Sequence, residues 1–297
     1  MKKFGITGVA GYIAPRHLKA IKDTGNILIA SADPHDSVGI LDQYFPDAAF
    51  FKDIERFDRH LDKLRRAGQG IDYLSICSPN NLHDAHIRLA LRNDAHAICE
   101  KPLVLNPWNL DLLEKLEEEY GKKIYTVLQL RIHPSLIKLK DKIEKEKRTN
   151  RYKVELTYIT SRGKWYDYSW KGDIHRSGGI ATNIGIHFFD LLIWLFGKPV
   201  SQKTLFDSVD KMKGELELET ANVVWHLSID KNDLPAEIKK NGRATYRSIK
   251  IDDKEIEFTN GFTELHTEVY RRTLAGNGFT ISDARASIEL VRELRKI

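Results

Sequence analysis

Cysteine is nearly absent from this 297-residue chain, where Cys77 and Cys99 are the only two. Two thiols cannot build a disulfide framework, and no His/Cys cluster has zinc-site spacing. Each cysteine ends an apolar run, which reads as an inert buried thiol. Nine prolines and nineteen glycines are too few for a collagen-like or low-complexity chain. With 41% hydrophobic and 30% charged residues, a disordered chain is excluded as well. Long apolar runs are also missing. The longest stretch without a charge, Ser177 to Phe189, is interrupted by Ser, Thr, Asn, His and glycines. That falls short of the ~20 apolar residues that span a bilayer. The opening MKKFGITG runs at once into a glycine-rich turn, without the apolar core and cleavage site of a secretory signal. The expectation is a soluble, cytoplasmic protein with no membrane partner.

Neither sign of charge dominates. Forty-seven Lys and Arg stand against 42 Asp and Glu, a formal charge of +5. The two signs are interleaved, as in EKLEEEYGKK, which marks solvated helix faces. No zinc finger, RNA-recognition signature or basic-aromatic stripe is present, so no nucleic-acid partner is expected.

From residue 3 to about 128, strand-like apolar runs alternate with amphipathic helices. The strands are Lys3 to Thr7, Ile27 to Asp33, Ile71 to Cys77, Ala95 to Cys99 and Ile124 to Leu128. The helices are Tyr12 to Asp23, Asp53 to Arg66, Leu82 to Arg92 and Pro107 to Gly121. In the second helix Ile54, Phe57, Leu61 and Leu64 recur at three- and four-residue spacing, an apolar stripe. Such alternation predicts a parallel α/β sheet of the doubly wound Rossmann kind. After His133 the texture changes to a charged helix, Ser135 to Lys147, and longer strands, Tyr152 to Thr160 and Asn222 to Ile229. One apolar helix, Ile184 to Phe196, and two closing helices, Thr263 to Ala275 and Ser282 to Lys296, complete the chain. This predicts a second α+β domain on a largely antiparallel sheet. The expected domains are residues 1–125 and 126–297.

The segment GITGVAGYIAP lies between the first strand and first helix, where a dinucleotide fingerprint belongs. The register G-x-G-x-x-G falls on Gly8, Ala10 and Ile13, with Gly11 additional, so the match is imperfect. Its position carries the argument: glycines allow close approach of a pyrophosphate, and free amides at the helix start face the anion. Tyr12 and Ile13 belong to the same turn. An ordinary strand-to-helix turn is the alternative. Asp33, 25 residues beyond Gly8, ends the second strand, where a carboxylate accepts hydrogen bonds from a ribose and repels a 2′-phosphate. NAD is therefore expected over NADP. Ser78, Asn80 and His83 follow the next strand end, and Glu100 and Lys101 the one after. The carboxyl ends of strands line the ligand crevice of such sheets. His83 and His86 have no third ligand in the sequence, so no metal is expected.

CSPN-x-LH, CEKP and GGIATNIGIHFFD, each at its place in the chain, resemble the glucose–fructose oxidoreductase and inositol dehydrogenase family of nicotinamide-dependent oxidoreductases. GYIAPRHLKAIKDTGN, LQLRIHP, YITSRGKWYDYSWKGDI and GFTELHTEVYRRTLAGNGF resemble its UDP-N-acetylglucosaminuronate 3-dehydrogenases of bacterial O-antigen (lipopolysaccharide) biosynthesis. The resemblance implies NAD-dependent oxidation of the C3 hydroxyl of UDP-N-acetylglucosaminuronic acid (UDP-GlcNAcA). It also implies a homotetramer and, as in some relatives, return of the cofactor to its oxidised form by 2-oxoglutarate. The family's catalytic lysine and histidine fall on Lys101 and His187. Where the wider family often has Asp, four residues before that histidine, this chain has Asn183, which orients by hydrogen bonds and takes no proton. Either Lys101 or His187 then serves as base.

A diphosphate and a uronate need cations and flat surfaces. Arg131, Arg162 and Lys171 are the cationic candidates, with Tyr166, Trp165 and Trp170 close by in sequence. Ligand contact and aromatic packing stand equal for each of these. Two other functions stay open: a dehydrogenase of another sugar or cyclic polyol, and a non-catalytic NAD(H)-binding sensor.

Overall fold

Short strands of Ile, Leu, Ala and Cys, apolar on both faces, can be covered only by helices on both sides. The computed structural model, which describes residues 1–256 and 264–295, has this arrangement in its first part. Six parallel strands, β1 (Lys3–Thr7), β2 (Ile27–Ala32), β3 (Ala49–Phe51), β4 (Tyr73–Ile76), β5 (His96–Cys99) and β6 (Ile124–Thr126), run in the order β3-β2-β1-β4-β5-β6. That order reverses direction between β1 and β4, the point at which doubly wound sheets open a ligand crevice. The intervening helices are α1 (Ala14–Asp23), the short α2 (Ile40–Tyr44), α3 (Ile54–Arg66), α4 (His83–Arg92) and α5 (Trp108–Tyr120). On α3 the predicted stripe buries Phe57 and Leu61 fully, with Ile54 and Leu64 half-buried. Strand β3 and helix α2 were not expected, because three residues and five residues are too short to show a period.

The second sheet holds β7 (Tyr152–Thr160), β8 (Pro199–Asp207), β9 (Lys211–Leu218), β10 (Ala221–Ser228), β11 (Thr245–Ile251) and β12 (Lys254–Glu255), in the order β12-β11-β7-β10-β9-β8. Only β7 and β10 pair in parallel, and the other four neighbours are antiparallel. Over the first five residues of β7 and of β10 every second side chain is buried, as a half-buried sheet requires, and both strands end on two consecutive buried residues. Trp225 lies directly opposite Gly214 in the β9–β10 register, and a Cβ on Gly214 would come within 2.4 Å of the indole. The glycine thus makes room for the largest core side chain, which Phe189 meets edge-on at 5.4 Å. Such aromatic pairs add about 0.5–1.5 kcal/mol beyond area burial.

The helices of this second part are α6 (Pro134–Lys145), α7 (Trp165–Tyr168), α8 (Ile174–Ser177), α9 (Ile186–Phe196) and α10 (Ala236–Lys240). Helix α9 is preceded by a π-helical turn, Ala181–Gly185, so the expected start at Ile184 moves to Ile186. The helical stretch from Ile174 to Phe196 is long and apolar enough to cross a membrane by composition, with a mean hydropathy of 1.5 over 18 residues. Its window is 78% buried within the fold, and Phe189, Leu191 and Leu192 are wholly inaccessible. It serves as a core helix.

Two helices close the described chain, α11 (Leu265–Leu274) and α12 (Ile281–Leu294). The expected helix start at Thr263 and helix end at Lys296 lie outside the described residues. The chain divides into two compact units, residues 1–129 with 263–285, and residues 130–262 with 286–297. The first crossing of the chain from one unit to the other falls at 129/130.

Candidate active site

The β1–α1 turn owes its shape to Gly8. Its φ of 78° is left-handed, and a Cβ there would lie 2.5 Å from the backbone C and O of Cys77 at the end of β4. The glycine lets two neighbouring strand ends close up at the switch point of the sheet. Gly8 N–H donates to Ala32 O at 2.8 Å, and Gly11 N–H returns to Gly8 O at 3.0 Å. Helix α1 begins at Ala14, two residues later than expected, with Pro at its start. Among the described residues the amides of Tyr12 and Ile13 make no backbone hydrogen bond, so they remain free for an anion. The Tyr12 side chain is 84% exposed.

Asp33 closes the turn from the other side. Its Oδ2 accepts from Ala10 N at 3.0 Å and its Oδ1 from His35 N at 2.9 Å. The carboxylate is therefore buried and fixed at the end of β2. Each oxygen keeps lone-pair capacity for a ribose hydroxyl. A tight glycine turn with free amides and a fixed carboxylate 25 residues on is what an NAD dinucleotide requires.

Beyond β4, Ser78 and Asn80 are buried, and Asn80 opens a 3₁₀ turn that leads into α4. Ser78 Oγ pairs with His86 Nδ1 at 2.8 Å. His83 is wholly buried, with Pro102 O 2.6 Å from Nδ1 and Ser78 O 2.9 Å from Nε2; as a neutral ring it has one N–H and donates to one of the two carbonyls. Burial pushes its pKa down, against the pull of those carbonyls. The ring thereby ties the segment after β4 to the segment after β5. Lys101 sits in that second segment, half-buried and joined to Pro102 by a cis peptide bond.

Glu100 was expected at the cofactor, but its carboxylate turns into the interior. Oε1 accepts from His17 Nε2 at 2.9 Å and from His266 Nε2 at 3.0 Å. Oε2 accepts from the Lys101 amide at 3.3 Å. Burial by itself raises a carboxyl pKa, but the two histidine hydrogen bonds outweigh it and hold Glu100 well below the usual range. His17 Nδ1 meets Tyr270 Oη at 2.8 Å, and Tyr270 Oη meets Ser75 Oγ at 2.6 Å. Among the described residues, His17, Glu100 and His266 are the one group whose atoms are near enough to share a metal ion. Hydrogen bonding already accounts for those spacings.

In the second unit the π turn and α9 gather most of the remaining candidates. Asn183 Nδ2 donates to Tyr166 Oη at 2.7 Å, and both are buried. His187 lies half-buried in the first turn of α9, three residues before Asp190. Arg131 was expected to be a carboxylate anchor for substrate, and it already holds a carboxylate of the chain. Its Nε and Nη2 reach Asp190 Oδ2 and Oδ1 at 2.9 and 2.7 Å, with side chains only 9% and 3% exposed. Lys171 Nζ stands 5.5 and 5.2 Å from the rings of Trp165 and Trp170. Burial, then the charge of Arg162, lowers the Lys171 pKa. Arg162 itself is exposed, its backbone amide bound to Ile229 O at 3.0 Å.

Five participants were not singled out from the sequence: His17, Ser75, His266, Tyr270 and Asp190. Each acts on a residue at least 59 positions away. His17, His266, Tyr270 and Asp190 all lie in segments that carry the family resemblance, but nothing local marks their partners.

Family models match both parts of the chain. Residues 2–128 match an oxidoreductase family with an NAD-binding Rossmann fold, and residues 140–233 match its C-terminal alpha/beta domain. The chain belongs to this GFO/IDH/MocA oxidoreductase family, and its N-terminal unit is the family's NAD-binding domain. Among solved structures it is similar to the WlbA (WbpB) dehydrogenase of Thermus thermophilus in complex with NAD and UDP-GlcNAcA. The identity is 52%, the TM-score 0.96, and the match covers 100% of this chain and 95% of that one. A second structure of the Thermus thermophilus enzyme, with NAD and alpha-ketoglutarate, matches at 53% identity and a TM-score of 0.95, over 99% and 96% of the two chains. Among curated proteins, inositol 2-dehydrogenase of Rhizobium meliloti is 28% identical over 82% of this chain and 70% of its own length. Glucose-6-phosphate 3-dehydrogenase of Bacillus subtilis is 25% identical over 66% of this chain, which spans about half of that protein, 54%.

Proposed function

We propose that this protein is a cytoplasmic NAD-dependent dehydrogenase that oxidises the C3 hydroxyl of UDP-GlcNAcA to the 3-keto sugar in O-antigen biosynthesis. The observation that carries this reading is the full-length match, at 52% identity, to a dehydrogenase crystallised with NAD and that sugar nucleotide. The second complex of the Thermus thermophilus enzyme, with alpha-ketoglutarate, supports 2-oxoglutarate as the electron acceptor that closes the cycle. The overall exchange balances: the sugar's CH–OH loses a hydride and a proton, and the ketone of 2-oxoglutarate gains both to become 2-hydroxyglutarate.

Bound NAD supplies the hydride acceptor for the sugar. The chain's own residues have the other tasks. Gly8, Gly11, Tyr12 and Ile13 offer backbone to the pyrophosphate, and Asp33 binds the adenosine ribose. Ser78, Asn80 and His83 shape the wall beyond β4. Lys101 and His187 are the two candidates for the base that takes the C3 hydroxyl proton. A neutral amine or imidazole can accept it, while an ammonium stabilises the developing alkoxide. Asn183 and Tyr166 orient the sugar, and Arg162, Lys171 and Trp170 engage its charged and flat parts. Arg131, with two of its donors on Asp190, presents a fixed guanidinium to a substrate carboxylate.

The same reading includes a homotetramer. Val200, Leu205 and Phe206 of β8 and Val224 of β10 are roughly half exposed, apolar area that an interface between copies would cover.

Incubation of the purified protein with a panel of UDP-sugars and 2-oxoglutarate tests the activity. Mass spectrometry should find loss of two hydrogens from UDP-GlcNAcA, and little from UDP-GlcNAc, which lacks the carboxylate. Turnover of free inositol or glucose with none of UDP-GlcNAcA overturns the substrate assignment. Released NAD(H) without turnover of any sugar favours the sensor.

A further inference from the structure

We infer that His17 and His266 are positioning residues for Lys101, acting through the buried carboxylate of Glu100. The inference rests on the dehydrogenase reading above for Lys101's task, but its geometry stands apart from it. Glu100 and Lys101 are adjacent at the end of β5, and every described polar partner of the Glu100 side chain is fixed. A carboxylate only accepts, so the Nε2 atoms of both histidines carry hydrogen and donate to the same Oε1. With its Nε2 protonated, neutral His17 accepts at Nδ1, so Tyr270 donates to it and receives the Ser75 hydroxyl hydrogen in turn. The chain of donors runs Ser75, Tyr270, His17 and ends on the accepting carboxylate of Glu100, each link ordered by the next. His266 adds the last donor from α11, 166 residues away in sequence.

All five side chains are buried, Ser75, His17 and Tyr270 completely. His266 Nδ1 has no partner among the described residues, so that ring is held through Nε2 alone; elsewhere in the buried network a rotation leaves a desolvated polar atom without its partner, which fixes the geometry. Glu100 passes that order to the next residue through the Lys101 amide at 3.3 Å. From the opposite side His83 holds Pro102 O at 2.6 Å. Lys101 is thus anchored on both flanks of its own backbone, and residues that follow the whole second sheet in sequence supply part of the anchor. Misplacing a reacting group by about 1 Å costs up to ~10²-fold in rate.

The test compares His266→Leu with His266→Gln in the full chain. The glutamine amide nitrogen occupies the place of Nε2 and still donates to Glu100, whereas leucine cannot. His266→Leu should bind NADH within about threefold of wild type and keep its KM for UDP-GlcNAcA, while kcat falls by ~10²-fold. His266→Gln should recover most of that loss. A sugar-independent arm uses acetic anhydride on the NADH complex, with peptide mass spectrometry of Lys101. Its acetylation rate, relative to surface lysines, should change severalfold in the leucine variant and return in the glutamine variant. If wild type oxidises no UDP-sugar, the functional reading fails while this arm still decides the positioning role. Unchanged kcat with unchanged Lys101 labelling overturns the inference. So does a glutamine variant no better than leucine, loss of NADH binding in the leucine variant, or a stoichiometric metal in the purified protein.

Discussion

Replacing Gly8 with alanine perturbs the cofactor turn in two separable ways. An L-residue at φ near +78° costs roughly 1–2 kcal/mol. The new Cβ also meets backbone, Cys77 C and O at 2.5 Å and Ser78 N at 2.6 Å, and backbone cannot step aside by changing rotamer. Forcing β1 and β4 apart there adds about 1–3 kcal/mol, as overpacking of a core does. Gly25 supplies the control: its φ is 72°, yet nothing lies within 4 Å of its Cβ position. Gly25→Ala should therefore cost only the conformational part, about 1–2 kcal/mol. The difference falls on the turn that presents the Tyr12 and Ile13 amides, so Gly8→Ala should weaken NADH binding about tenfold or more. Thermal unfolding and NADH fluorescence titration of both variants measure the two parts. Equal melting temperatures and equal NADH affinities for the two alanine variants would refute the reasoning.

Further consequences concern charge and protons. Asp33→Asn should weaken NAD binding about tenfold and improve NADP binding, since charged hydrogen bonds contribute ~1.5–3 kcal/mol each; titration with both cofactors checks it. Asp190→Ala breaks a buried bidentate pair with Arg131 and should lower stability by about 3–5 kcal/mol, read by denaturant unfolding. Burial, then the charge of His83, lowers the His86 pKa from 6.5 to about 4. Because the folded state keeps this ring neutral, its stabilising contribution is present above pH 6.5 and is lost as pH falls toward 4. The loss reaches about 3 kcal/mol. His86→Gln should flatten stability against pH across that window, and an unchanged slope contradicts the assignment. Lys101→Met should still bind NADH, with single-turnover hydride transfer slower by ~10²–10⁴-fold in stopped flow.

Much of the first sheet was legible because its strands are short apolar blocks with helices of clear period between them. Gly8 and Asp33 could be placed from their positions at strand ends alone. The second sheet was harder to read: β8 is an edge strand with little alternation, and β9 interrupts its pattern with Gly214 beneath Trp225. The π turn before α9 left no periodic trace, since five residues hold barely one turn of any helix. Side-chain partners were the least legible feature. Nothing around Arg131 announces Asp190, and nothing around Glu100 announces His266, because tertiary topology alone brings them together. The reading of Glu100 as a cofactor ligand followed its motif and missed the histidines that turn it inward.

Deuterium placed at C3 of UDP-GlcNAcA tests the central claim most directly. The protein, isolated with whatever NAD(H) it retains, is incubated with this sugar and 2-oxoglutarate, and both products are read by mass spectrometry. The account predicts a 3-keto sugar that has lost the label and 2-hydroxyglutarate that carries one deuterium at C2, in equal amounts. Label kept in the sugar, or unlabelled 2-hydroxyglutarate formed beside the 3-keto product, would contradict it.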